Sequence, residues 1–138
     1  MTDSACHVLD ACALIAVLRR EPGAEAIESL LTDERSLCLI HVLNLCEVAY
    51  DTLRRSPDVS LEEWVAAIEA FGLRVHWNID AELFARAARL KAHWRRVSLA
   101  DCFALALAQE LNGELVTSDH HELDPLAAAG VSGICFFR

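Results

Sequence analysis

Four acidic residues, Asp10, Glu47, Asp101 and Asp119, stand where the chain turns from strand to helix or opens a helix. Carboxylates brought together can do particular chemistry. Two of them about 4 Å apart repel by roughly 4 kcal/mol at an effective dielectric near 20. Either their pKa values rise, or a cation neutralises them. Oxygen ligands of this kind suit Mg²⁺ or Mn²⁺, and such a site suits metal-assisted hydrolysis of a phosphodiester. Taken singly, each acid has a plainer reading. Asp10 and Asp119 fit helix N-caps, while Asn44-x-x-Glu47 and Ser98-x-x-Asp101 fit capping boxes like Ser60-x-x-Glu63. Asp101 tips the balance. It heads a helix whose residues Cys102 to Ala108 are all apolar, so the helix should be buried. A carboxylate there must be neutral, paired or metal-bound, and no base on that helix can pair with it.

The elements that must position these acids alternate. Apolar runs at Cys6–Leu9, Leu37–Ile40, Leu73–Trp77, Glu114–Thr117 and Gly133–Phe137 read as strands. Helical periodicity covers Ala11–Arg19, Ala24–Leu31, Val42–Arg55, the stretch from Ser60 to Gly72, Ile79–Arg95 with a Glu82–Arg86 pair, and Ser98–Asn112. The Ser60 helix should turn Leu61, Trp64, Val65 and Ile68 inward. Asp124-Pro125 reads as the cap and first position of a short last helix. Strands separated by helices predict an α/β fold, a three-layer α/β/α sandwich on a mainly parallel sheet. In such a sheet, strand C-termini and helix N-termini share the edge where ligands bind. The four acids can meet there.

Composition bounds the rest. The 138 residues are 54% hydrophobic with five Gly and three Pro, which predicts one folded domain over 1–138 and no disorder. No apolar stretch reaches membrane-spanning length and the N-terminus lacks a secretory pattern, so a soluble, cytoplasmic protein is expected. Six cysteines without a CxxC pair read as small core residues in a reducing compartment. The net charge of −9 argues against a nucleic-acid binder. That objection loses force if the acids gather around a cation, which reverses the local potential.

The runs Asp10-Ala11-Cys12-Ala13-Leu14, Asn44-Leu45-Cys46-Glu47-Val48, Ser98-Leu99-Ala100-Asp101 and Leu115-Val116-Thr117-Ser118-Asp119 lie in an order and spacing that resembles the PIN-domain nucleases. The likeness extends over the whole chain, especially to the toxin ribonucleases of VapBC-type toxin–antitoxin pairs. The resemblance implies a Mg²⁺-dependent endoribonuclease, with Mn²⁺ as a possible substitute, whose acids Asp10, Glu47, Asp101 and Asp119 hold metal and position water. It implies supporting roles for Thr117, Asn44 and Ser98, an RNA substrate, a small antitoxin partner and a homodimer. One departure is visible: many members carry Thr or Ser directly after the first Asp, where this chain has Ala11 and then Cys12.

Other residues are less pointed. His120 and His121 read as exposed loop residues beside the acidic rim. The pairs Arg19-Arg20, Arg54-Arg55 and Arg95-Arg96 suit either RNA phosphates or ordinary solvated helix ends. Two further functions stay open. One is a catalytically inactive PIN-like module for protein or RNA binding, in which the acids only cap helices. The other is a phosphotransfer protein with Asp10 as nucleophile, weakened by the lack of a second Asp just after it and by Lys91 being the only lysine.

Overall fold

A computed structural model describes residues 5–138. Among them, five strands and seven helices alternate: β1 (Ala5–Leu9), α1 (Ala11–Leu18), α2 (Ala24–Thr32), β2 (Ser36–His41), α3 (Val42–Arg55), α4 (Leu61–Ala70), β3 (Leu73–His76), α5 (Ala81–His93), α6 (Leu99–Glu110), β4 (Glu114–Thr117), α7 (His120–Ala128) and β5 (Ile134–Phe136). The sheet order is β3-β2-β1-β4-β5 and every pairing is parallel. Both faces are covered, as the near-continuous apolar strands require. Because side chains alternate across a strand, Val8, Leu39 and Leu115 face α5, α6 and α7, whereas Leu9, Ile40 and Val116 face α1 to α4. The α/β/α sandwich expected from the sequence is the observed fold. No helix among the described residues is long and apolar enough to cross a membrane.

The chain runs outward from β1 to β2 and β3, then returns to place β4 on the other side of β1. A crevice opens at such a reversal, beyond the strand C-termini. Asp10 follows β1 and Asp119 follows β4, so both flank it. Helix α6 is buried from Asp101 to Ala108, as its sequence demands.

Several local expectations need correction. The last helix begins at His120, not at Asp124-Pro125; Pro125 lies inside it, and Asp119 is the cap. Asp124 instead bonds the imidazole of His120 at 2.8 Å, so His120 and His121 open a helix rather than sit in a loop. Asn44 is not a cap. His41 holds that position, with Nδ1 accepting from the Leu43 amide at 3.2 Å. Of the inward residues expected in α4, only Ile68 is fully buried and Leu61 is exposed. Glu82 and Arg86 form no ion pair. All six cysteines are free; Cys38 and Cys102 are buried, while Cys46 is exposed and so is not a core residue.

Candidate active site

Each functional side chain is set by a short, determinate piece of backbone. Asp10 ends β1 and caps α1: its Oδ1 accepts from the Ala13 amide at 2.9 Å. Its other oxygen, Oδ2, is buried, and no hydrogen bond of normal geometry reaches it. Capping therefore accounts for half of this carboxylate. Burial pushes the Asp10 carboxyl from an ordinary 3.8 up to about 6, with the charges of Asp119 and Glu47 adding to the rise. The nearby Thr117 hydroxyl and the Ala13 amide pull it back in part.

Asp101 lies in the first turn of α6, 7% exposed, and its amide donates to Ser98 Oγ at 3.2 Å. A capping box would send the Asp101 carboxylate back to the Ser98 amide. That amide donates instead to Glu122 Oε2 of α7, at 3.3 Å. The Asp101 carboxylate is thereby released from the Ser98 amide and lies against the side chain of Glu122. Burial raises its pKa strongly, and Glu122, Asp10 and Glu47 raise it further.

Asp119 caps α7, with Oδ1 accepting from the Glu122 amide at 3.0 Å. Its own amide donates to Thr117 Oγ1 at 3.0 Å, which ties the fully buried Thr117 into the same turn. Oxygens of Asp101, Asp119 and Glu122 all lie within 4.8 Å of one another. At that separation an ionised pair repels by about 3.5 kcal/mol or more at an effective dielectric near 20. Glu47, one turn into α3, is half-buried; burial raises its pKa, as does the charge of Glu122. Three residues before it, Asn44 is fully buried and its Nδ2 donates to the Ala100 carbonyl at 3.0 Å, joining α3 to the head of α6. Its Oδ1 is a second buried oxygen without a partner.

Of the four acids expected from sequence, Asp101 and Asp119 lie together with Glu122, whereas Asp10 and Glu47 lie outside that group but near enough for their charges to raise the pKa of Asp101. Cys12, in the first turn of α1, sits in the same field. Burial pushes its thiol up to about 12, and Asp10, Asp101, Asp119 and Glu47 all add to the rise. Ser98, Thr117 and Asn44 hold the backbone around them. Glu122 is the member that sequence reading missed. The signal was Asp119-x-x-Glu122, a capping pattern directly after a strand; starting the last helix at Asp124 hid it.

The donor set is carboxylate oxygen, and among the described residues no cation pairs with any of these five acids. Asp10 Oδ2 lies buried among like charges, outside the reach of the cap. A hard divalent cation fits such a set. Asp10, Asp101, Asp119 and Glu47 could hold it, with Glu122 as a fifth carboxylate.

The family model for the PIN domain matches residues 7–127. No curated protein matches the chain by sequence. Among solved structures, a chain of a toxin–antitoxin complex from Klebsiella pneumoniae superposes with a TM-score of 0.71 at 18% identity, covering 96% of this chain and 98% of that one. VapBC2 from Rickettsia felis, solved bound to a DNA fragment from its promoter, gives 0.67 at 14% identity over 95% and 96% of the two chains. VapBC-1 from nontypeable Haemophilus influenzae gives 0.67 at 17% identity over 96% and 98%. At these identities the likeness is one of fold.

Proposed function

The chain belongs to the PIN domain family, and from that premise we propose that it is a metal-dependent endoribonuclease, the toxin of a toxin–antitoxin pair. The observation that carries this reading is Asp10 Oδ2, a buried carboxylate oxygen that the helix cap does not engage, set among like charges with only the Thr117 hydroxyl nearby. Helix capping explains Oδ1 and leaves Oδ2 unexplained. Asp10, Glu47, Asp101 and Asp119 are the proposed ligands of Mg²⁺, or of Mn²⁺ in its place. When bound, such an ion polarises the scissile phosphate and makes water acidic enough to attack near neutral pH.

The chain's own groups do the rest. Ser98 and Glu122 fix the head of α6, which carries Asp101. Thr117 fixes the turn that carries Asp119. Asn44 locks α3, and so Glu47, against α6. Carboxylates left free of metal position the attacking water and take its proton, and no covalent enzyme intermediate forms.

The partners follow from the same reading: an RNA substrate, a small antitoxin that covers the pocket, and a second copy of the chain. The likeness to chains of toxin–antitoxin complexes supports the antitoxin. Free thiols throughout suit the cytoplasm, and residues 1–138 act as one nuclease domain. The test compares wild type with Asp101→Asn on mixed RNA, with Mn²⁺ and with chelator. Cleavage by wild type with metal alone is expected. Equal activity in every condition would defeat the proposal.

A further inference from the structure

Five of the protein's twelve Lys and Arg residues fall between Arg86 and Arg96, a stretch that contains no acid, in a chain of net charge −9. They have two different uses. Lys91 is turned to the backbone: its Nζ donates to the carbonyls of Arg95 at 2.8 Å and Val97 at 2.6 Å. Together with the bond from the Val97 amide to the Trp94 carbonyl, 3.1 Å, and the buried Val97 side chain, this pins the loop between α5 and α6 at both ends. The loop then runs directly into Ser98, whose amide is held by Glu122.

The four arginines are left outward. Arg86, Arg89, Arg95 and Arg96 are exposed, and among the described residues none has an acidic partner, whereas Arg19, Arg55 and Arg138 are all paired. A cleft of about 270 Å³ is lined by His93, Trp94, Arg95, Arg96 and His121, and its wall includes Glu122 of the acid cluster. A second cleft, about 800 Å³, continues along α5 past Arg89 and Arg86 and shares His93 and Trp94 with the first. Glu82 stands at its far end. The two clefts thus adjoin at His93 and Trp94, and the first reaches the acid cluster at Glu122.

We propose that this connected path is the track on which a single-stranded RNA lies as it enters or leaves the acid cluster, an inference that rests on the ribonuclease reading. Arg95 and Arg96 hold phosphates next to the one being cut, and Arg89 and Arg86 hold those further along. Trp94, set edge-on against His93 with ring centroids 4.7 Å apart, offers a surface on which a base can stack. Bases are free to do this only in a single strand. Pinning by Lys91 matters because a loop already ordered loses little freedom when the strand binds.

The test is fluorescence anisotropy of a labelled single-stranded RNA in chelator, over a salt series, with wild type and with the pairs Arg95→Ala/Arg96→Ala and Arg86→Ala/Arg89→Ala. These are exposed side chains, so the variants should fold, and Tm checks it. Each pair should raise Kd about tenfold at moderate salt. Each should also flatten the plot of log K against log salt by about 1.4, two phosphate contacts at roughly 0.7 each. Unchanged affinity and slope in both pairs, or tighter binding of poly-glutamate than of RNA, would overturn the track. The rise in Tm with Mn²⁺ reads the acid cluster separately. RNA held by the arginines without any Mn²⁺ response supports the track and sinks the nuclease; a Mn²⁺ response with arginine-independent RNA binding does the reverse.

Discussion

Replacing Asp10 with Asn should make the metal-free protein more stable. The Asn side chain keeps the oxygen that caps α1 and removes the charge from the buried oxygen that the cap does not engage. In the folded chain the Asp10 carboxyl is raised from 3.8 to about 6, which corresponds to roughly 3 kcal/mol against folding at neutral pH. The sign follows from proton binding. Between these two values the folded state binds more protons than the unfolded one, so stability falls as pH rises through that window and stays low above it. Burying the new amide donor returns about 1 kcal/mol of that gain. The net of about 2 kcal/mol is a rise of roughly 7 °C for a chain this long. Thermal unfolding in chelator, at pH 7.5 and pH 5, measures it. Wild type should gain more stability on acidification than Asp10→Asn, which keeps the contribution of Asp101, and Mn²⁺ should raise Tm for wild type only. A variant no more stable than wild type in chelator, or one that responds equally to Mn²⁺, would refute the reasoning.

Two further outcomes follow from particular contacts. Glu122→Gln keeps an oxygen for the Ser98 amide but loses a charge near Asp101, so it should weaken Mn²⁺ binding by about 10- to 100-fold with the fold intact, as read from the Mn²⁺ midpoint of the Tm shift. Gly113→Ala would set a Cβ 2.4 Å from the Cys6 carbonyl oxygen where β4 enters beside β1; a loss of about 1–3 kcal/mol or more is expected in denaturant unfolding.

What the sequence made legible, and what it hid, divides along the range of the interactions. Asp101 stood out because the surrounding helix is apolar on every side, a pattern that determines burial without any knowledge of neighbours. Asp10 and Asp119 stood out because they follow strands. The strand-helix alternation was enough to predict a parallel sheet. Glu122 was hidden by a local rule applied one turn too late: Pro is favoured at the first helical position, yet Pro125 sits in the sixth position of α7. The fate of Asn44 was hidden for another reason. Its partner is the Ala100 carbonyl, 56 residues away, and His41 took the cap by means of an imidazole nitrogen, which composition does not advertise. The bond from Ser98 to Glu122 is likewise a contact between helices, and only the folded chain shows that it releases Asp101 from its own capping duty.

The strand order has a consequence for synthesis. Since β4 docks against β1 only after some hundred intervening residues have been made, a polypeptide still emerging from the ribosome holds Asp10 and Glu47 long before Asp119 and Glu122 exist. Whatever the crevice does, it does not do it gradually during translation. It is complete only when the final third of the chain, with Asp101, Asp119 and Glu122, is in place.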